Sequence, residues 1–106
     1  MNIEISPKEY ERKLSWDDGK LYCDLLIIDG KMDWRLPTKE ELNDMYTGNI
    51  DLGFNFPHNM RFCFHWSDCD PYGIMTIGVD VINGYKLMKN VKDKLKVRPV
   101  RTIEPS

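Results

Sequence analysis

Apolar residues in the first half of the chain recur at helical spacing. A helix is predicted over about residues 16–26, because one face collects small and apolar side chains: Trp16, Gly19, Cys23, Leu26 and Ile27. Ser15 stands at the N-cap, and Asp18 three residues later completes the pattern of a capping box. Glycine weakens a helix by about 1 kcal/mol relative to alanine, so Gly19 indicates that a neighbouring segment packs closely there.

A second helix is predicted to begin at Thr38. Thr38 and Glu41 have the spacing of another capping box, and Pro37 fixes the approach of the chain to the helix. The apolar stripe predicted to be buried is Leu42, Met45 and Tyr46. Gly48 is the expected end of the helix. Between the two helices, the pair Asp29–Gly30 predicts a turn.

The second half of the chain changes to alternation, which is typical of β-strands. Residues 62–66 place Phe62, Phe64 and Trp66 on one face of a predicted strand, with Cys63 and His65 on the other. Residues 74–82 place Met75, Ile77, Val79 and Val81 on one face, with Thr76, Gly78 and Asp80 on the other. Both stretches therefore predict strands of a sheet.

The pair Asn83–Gly84 is the strongest hairpin signal in the sequence and predicts a two-residue type I′ turn. Residues 85–88 form the predicted return strand, and residues 95–103 contain a last one. Ile3 and Ile5 alternate with polar neighbours and predict a short strand at the start. Two helices followed by an antiparallel sheet indicate an α+β fold, with one domain over residues 1–106.

Composition narrows the range of functions. The chain has 106 residues, a formal net charge of −2 and a pI of about 5.6, which do not favour binding to nucleic acid. The sequence has no apolar run of the roughly 20 residues that span a bilayer, and its first segment lacks the apolar stretch of a signal peptide. We therefore expect no membrane association and a cytoplasmic location.

The candidate chemical groups are few. Cys63, His65 and Cys69 could be soft-metal ligands, but a fourth ligand with suitable spacing is missing, and buried thiols are the preferred interpretation. Asp68 and Asp70 alone supply too few oxygen atoms for calcium. His58 has no nucleophile near it in sequence, and the glycines are scattered singly rather than grouped in a phosphate-binding loop. We expect no enzymatic activity, no metal and no cofactor.

Several motifs follow one another in a familiar order. The stretch from Ser15 to Cys23, "DWRLPTKEEL" with its pattern W-R-L-P-T-x-x-E-L at residues 34–42, "FHWSD" at 64–68, a hairpin turn, and "VRPVR" at 97–101 are similar to the Lcl C-terminal domain family. This family comprises bacterial and phage domains with a C-type-lectin-like fold. The resemblance covers about residues 16–101.

The resemblance implies two helices packed on a twisted antiparallel sheet, with the terminal strands paired. It also implies a non-enzymatic binding module, for which we expect a protein partner. One interpretation is a phage or mobile-element product that sequesters a host factor inside a bacterium. The alternative is a virion, tail-associated or surface subunit that binds a receptor or a glycan.

The expected binding surface lies in the second half of the chain, where aromatic, polar and flexible side chains alternate. Its predicted members are Asp68, Asp70, Tyr72, Tyr85, Lys86, Met88 and Asn90. The segment around Trp34 is interpreted as structural, with Trp34 and Leu36 packed beneath the second helix. Arg35 has two open interpretations, as the partner of a carboxylate or as a contact to a ligand.

Overall fold

Two helices and seven short strands make up the part of the chain that the computed structural model describes, residues 3–47 and 63–103. In chain order the elements are β1 (Ile3–Ile5), a 3-10 turn (Lys8–Tyr10), β2 (Arg12–Leu14), α1 (Trp16–Leu25), α2 (Lys39–Tyr46), β3 (Phe64–Trp66), β4 (Met75–Asp80), β5 (Lys86–Asn90), β6 (Leu95–Val97) and β7 (Val100–Thr102). The predicted α+β class is confirmed. The predictions made for Gly48, His58 and Phe62 lie outside the described residues.

The strands form two sheets. Five strands lie in the order β2-β6-β3-β4-β5, and β1 pairs with β7 in a separate two-stranded sheet. All neighbours are antiparallel except β3 and β6, which are parallel, so the larger sheet is mixed rather than purely antiparallel. The pairing of Ile3 with Thr102 and of Ile5 with Val100 confirms that the terminal strands lie side by side.

The two faces of the five-stranded sheet carry separate apolar clusters. Val79 lies opposite His65 and Gly78 lies opposite Trp66, so the two pairs point to opposite faces of the sheet. One cluster packs α2 against the sheet and contains Leu42, Met45, Cys63, Val79, Val81 and Val100. The other packs α1 against it and contains Trp16, Cys23, Leu36, Trp66 and Val97. Because both faces are covered, Thr76 and Asp80 are buried as fully as the apolar residues beside them.

The helix starts differ in how they are held. Thr38 and Glu41 form the predicted capping box, with both reciprocal hydrogen bonds present. The capping box predicted for Ser15 and Asp18 is wrong, because the Ser15 side chain makes no capping bond. Instead the backbone N–H of Trp16 donates to the carbonyl oxygen of Val91 at 3.0 Å, so contact with a distant segment positions the start of α1.

Two members of the predicted helical stripes are exposed. The helix α1 ends at Leu25 and Leu26 is extended, so Ile27 leaves the helical face and is 61% exposed. Tyr46 is 44% exposed because its ring lies against Gly84 of the β4–β5 turn rather than in the core. Neither α1, with 10 residues, nor α2, with 8, is long and apolar enough to cross a membrane.

The turn predicted at Asp29–Gly30 is confirmed, and its backbone has the positive φ values of a type I′ turn. Asp29 and Gly30 both have positive φ, 50° and 79°, and the flanking Ile28 and Lys31 exchange two backbone hydrogen bonds. The turn type predicted for Asn83–Gly84 is wrong, because Gly84 has positive φ but Asn83 does not. The connection is also longer than two residues, since β4 ends at Asp80 and β5 begins at Lys86. The hairpin itself is confirmed.

The last predicted strand is divided in two. Pro99 cannot donate to a ladder, and the chain leaves the large sheet after Val97 and enters the small sheet at Val100. Trp34 and Leu36, each 3% exposed, are buried as predicted, but Leu36 packs in the cluster of α1 rather than beneath α2. The strand β2, which is short and bears exposed Arg12 and Lys13, was not predicted.

Close packing at Gly19 provides a test of the fold. A Cβ atom at this position would lie 2.6 Å from Cγ2 of Val97, a fully buried and stiff side chain. We expect Gly19→Ala to lower the free energy of unfolding by about 1–3 kcal/mol, because overpacking outweighs the gain of about 1 kcal/mol in helix propensity. Urea unfolding measures the change, with Asp24→Ala on the exposed face of α1 as control.

The cause can be separated from a general effect on the helix. In a Val97→Ala background the clash is removed, so the further change Gly19→Ala should cost less than it does in the natural sequence. An equal cost in both backgrounds would show that Val97 is not the obstacle.

Candidate functional site

The outermost strand β5 presents the largest run of exposed side chains near the predicted binding residues. Tyr85 is 53% exposed, Leu87 47% and Met88 50%, and Lys86 is exposed as well. We call Tyr85 and the strand β5 together the β5 edge. In the order of strands, β4 lies on one side of β5, and no described strand lies on the other.

The backbone of the β5 edge has two sides. The N–H of Asp80 donates to the carbonyl of Tyr85 at 2.8 Å, and that of Val91 donates to Ile74 at 2.8 Å. In an antiparallel ladder every second residue bonds to the same neighbour, so Tyr85, Leu87, Lys89 and Val91 face β4. Lys86 and Met88 therefore direct their N–H and C=O groups away from the sheet.

The two lysines of β5 lie back over the sheet. The Lys86 ammonium donates to Oδ1 of Asn43 in α2 at 3.3 Å, on one face. The Lys89 ammonium lies 4.4 Å from the ring centroid of Phe64, on the opposite face. Both side chains thus point inward over the sheet, away from the outward N–H and C=O groups of the edge.

Tyr72 lies at the far end of the same hairpin. It is 87% exposed and exchanges two backbone hydrogen bonds with Met75, the first residue of β4. Met75 is paired with Asn90, but its N–H and C=O point away from β5, so β4 lies between Tyr72 and Asn90. Tyr85 stands at the other end of β5. Five residues of strand separate the two ends, about 17 Å. Tyr72 and Tyr85 therefore lie on separate parts of the surface rather than forming one spot.

Asn90 closes the edge instead of extending it. Its side-chain oxygen accepts from the N–H of Lys92, and its carbonyl oxygen accepts from the N–H of Asp93, each at 2.9 Å. These bonds begin the turn that leads to β6. Asn90 is consequently a turn residue in this structure, and the open part of the edge is centred on Lys86 and Met88.

Asp68 belongs to a different surface. Together with α1 and the segment before α2 it borders a pocket of about 230 Å³, lined by Trp16, Lys20, Cys23, Asp24, Arg35, Leu36 and Asp68. Partial burial raises the pKa of the Asp68 carboxyl. The neighbouring Asp70 is exposed, and neither aspartate lies on the β5 edge. The structure thus brings Tyr85, Lys86 and Met88 together and leaves the two aspartates apart.

Arg35 is the partner of a carboxylate. Its guanidinium donates to both oxygens of Glu41 at 2.7 and 2.9 Å, and also to the hydroxyl of Thr102 at 3.0 Å. Glu41 is also the acceptor of the capping box, so Arg35 joins the start of α2 to the last strand. Both terminal nitrogens of the guanidinium are thus engaged within the protein, which gives the structural interpretation of Arg35 a physical basis.

A buried cluster of charged side chains surrounds the carboxylate of Glu11. Nε2 of His65 is 2.9 Å from Oε1 of Glu11, and Lys96 and Arg98 each place a nitrogen atom 3.7 Å from the same carboxylate. Nδ1 of His65 lies 3.2 Å from the carbonyl oxygen of Cys63, so both ring nitrogens face acceptors. Burial lowers the pKa of His65, but hydrogen bonds to Cys63 and Glu11 outweigh it and raise the pKa to about 9. His65 is therefore an imidazolium at neutral pH.

Cys63, His65 and Glu11 have the order of a thiol, an imidazole and a carboxylate, with Sγ of Cys63 3.8 Å from Nδ1 of His65. Cys63 is only 3% exposed and His65 is fully buried, so a substrate cannot reach the thiol in this conformation. Within residues 3–47 and 63–103, no group of three or more acidic, histidine or cysteine side chains is arranged to hold a metal ion. The cluster is best explained as part of the core.

The sequence did not indicate exposed Leu87 and Ile74 or half-buried Lys89 as members of this surface. Leu87 and Lys89 lie on β5 between and beside the predicted members, and Ile74 is 62% exposed next to Tyr72. Alternation assigns Leu87 to a buried face, and only the outermost position of β5 in the sheet exposes it. Comparison of the sequence with models of known protein families and with curated proteins finds no match.

Proposed function

We propose that this protein is a non-enzymatic binding module that recognises a protein partner through the β5 edge. The observation that carries the proposal is the coincidence of exposed Tyr85, Leu87 and Met88 with outward-facing backbone groups on the same strand. A strand edge with exposed apolar side chains is a template for pairing with another chain. Tyr72 and Ile74 extend the apolar area at the other end of the hairpin.

The finer identity of the fold and the biological setting form part of the proposal. The motif order that resembles the Lcl C-terminal domain family supports a C-type-lectin-like arrangement, and the paired terminal strands agree with it. Sequestration of a bacterial host factor by a phage or mobile-element product rests on that resemblance and stays a prediction. A cytoplasmic location and the absence of a cofactor stay predictions as well.

Replacing Tyr72 and Tyr85 together by alanine is expected to weaken partner binding at least about tenfold, because exposed tyrosines at an interface supply large contact area. The free energy of unfolding should change little, since both side chains are largely exposed. The measurement is capture of a stoichiometric partner from bacterial lysate by the tagged protein, followed by titration of that partner against each variant.

The matched control is Leu25→Ala with Met32→Ala, which removes apolar side chains that are 71% and 65% exposed on another surface. Loss of the partner in this control, with retention in the tyrosine variant, would place the binding surface elsewhere. Binding of the wild type to a glycan array, without a protein partner, would favour the receptor- or glycan-binding alternative.

A further inference from the structure

We propose that the β5 edge accepts an extended segment of the partner as an additional strand, and that this segment carries an acid–apolar–apolar–acid sequence. The inference rests on the proposed function and specifies the chemistry of the partner. It follows from the direction of the backbone groups of β5 and from the order of its side chains.

The backbone provides the first part of the argument. Lys86 and Met88 each direct one N–H and one C=O away from β4, so the edge offers four hydrogen-bonding groups. An added strand would pair with these groups over about three residues, until the turn at Asn90 closes the ladder. Main-chain pairing of this kind gives affinity that depends little on the sequence of the partner.

The side chains provide the specificity. In the order Lys86, Leu87, Met88, Lys89, two apolar residues stand between two cations. Residues directly opposite one another on neighbouring strands are in contact, and opposite charges there are favourable. A complementary strand therefore places an acid beside Lys86, apolar residues beside Leu87 and Met88, and another acid beside Lys89. The motif reads the same in both directions, so it suits either strand orientation.

The present contacts of Lys86 and Lys89 can be exchanged for contacts with carboxylates of an added strand. The Lys86 ammonium is 3.3 Å from an amide oxygen of Asn43, and the Lys89 ammonium lies over the ring of Phe64. Both contacts are with neutral groups, which a carboxylate can replace with a stronger, charge-assisted bond. The ammonium groups lie inward over the two faces of the sheet, and each side chain would turn outward to reach a carboxylate of an added strand.

A second copy of the protein fits the edge less well. The strand β5 carries two lysines and no acidic residue, so pairing with itself would bring four cations together. An acidic segment neutralises them instead. Charge complementarity thus favours a partner of different sequence, and self-association becomes an outcome that the experiment can detect.

The experiment uses fluorescent nine-residue peptides with the core glutamate–valine–valine–glutamate, titrated against the full chain by anisotropy. We expect the peptide to bind and its affinity to fall with added salt. The double variant Lys86→Glu/Lys89→Glu should bind it at least about tenfold more weakly, and should prefer a peptide with a lysine–valine–valine–lysine core. Lys8→Glu/Lys94→Glu, which makes the same charge change at exposed positions outside β5, is the matched control.

A second pair of variants tests the backbone pairing. Met88→Pro removes an outward N–H while leaving the N–H groups that face β4, and proline is tolerated at such edge positions. Met88→Ala removes the side chain but keeps the N–H. We expect the proline variant to bind the acidic peptide at least about tenfold more weakly than the alanine variant. The charge-reversal pair keeps the test decisive if the proline variant does not fold.

Equal binding by the proline and alanine variants, or no effect of charge reversal, would overturn strand addition. Concentration-dependent dimerisation of the wild type that Met88→Pro abolishes, without binding of the acidic peptide, would assign the edge to a second copy and overturn the acidic partner. If the tyrosine variant loses a captured partner while the acidic peptide fails to bind, the proposed function stands and this inference falls. If the wild type binds neither a lysate partner nor the peptide, both fall.

Discussion

Replacing Glu11 with glutamine is expected to lower the free energy of unfolding by about 3–5 kcal/mol, because it removes the anion from a buried cluster of cations. Glu11 accepts from His65 at 2.9 Å and lies 3.7 Å from Lys96 and from Arg98. His65 is fully buried and Arg98 is 3% exposed, so bulk water cannot replace the lost carboxylate. Burial raises the pKa of Glu11, but His65, Lys96 and Arg98 together hold it below its ordinary value.

Urea unfolding at pH 6 measures this loss. Glu9→Gln, on the exposed neighbour two positions earlier, is the matched control and should change the free energy of unfolding by less than about 0.5 kcal/mol. Replacing Glu11 and His65 together by leucine should restore part of the stability, because a buried ion pair is often replaceable by apolar groups. A loss below about 1 kcal/mol for Glu11→Gln would contradict the view that Glu11 compensates buried charge.

The same cluster sets a pH dependence. The pKa of His65 is raised from 6.5 to about 9 in the folded protein, so the folded state binds a proton more tightly than the unfolded state. The resulting stabilisation is fully present below pH 6.5 and is lost as the pH rises through about 9. The Glu11→Gln variant lacks the carboxylate, so its stability should fall less over this interval.

Local signals in the sequence were sufficient for the features that depend on a few neighbouring residues. The capping box of Thr38 and Glu41, the turn at Asp29–Gly30 and the strand from Met75 all follow from short patterns, and the structure contains each of them. The α+β class follows from the order of these elements. Such features arise from hydrogen bonds and periodicity within one segment, which a single sequence displays directly.

Contacts between distant segments could not be predicted in the same way. Glu11 and His65 are 54 positions apart, and the strand β2 beside Glu11 has only three residues, two of them exposed and charged. Its extended form depends on pairing with β6, and the parallel pairing of β3 with β6 is equally remote in sequence. The positions of these charges in the core follow from topology, which periodicity does not contain.

The candidate site contains features of both kinds, some predictable from local sequence and others set by contacts between distant segments. Tyr85, Lys86 and Met88 were predictable as exposed residues because they follow a hairpin turn, and they lie together on β5. Asp68 was predicted to belong to the same surface, but it lines a separate pocket beside Arg35. The sequence does not reveal that β5 is the outermost strand, and that position is what makes its backbone available.

Replacing Asp80 with alanine is expected to lower the free energy of unfolding by about 3 kcal/mol, since a buried carboxylate that accepts several hydrogen bonds organises the end of the β4–β5 hairpin. Asp80 is fully buried and accepts from the backbone N–H of Cys63 at 3.0 Å, the N–H of Ile82 at 2.9 Å and the side chain of Asn83 at 2.8 Å. Alanine leaves the buried N–H of Cys63 without this acceptor. These bonds also explain why Asn83–Gly84 does not form the predicted two-residue turn.

Three measurements separate the roles of Asp80. Asp80→Asn keeps an oxygen that accepts from Cys63 and Ile82, so urea unfolding should show a smaller loss than for Asp80→Ala. Burial raises the pKa of Asp80, but hydrogen bonds from Asn83, Cys63 and Ile82 outweigh it and lower the pKa below 3.8. The carboxylate therefore stabilises the fold above pH 3.8, and this stabilisation is lost as the pH falls through the lower pKa of the folded state. Since the Asp80 side chain holds Ile82 and Asn83 in the turn that leads to Tyr85, Asp80→Ala should weaken binding at the β5 edge even where the protein remains folded. Equal stability of the alanine, asparagine and wild-type proteins would contradict the organising role of this carboxylate.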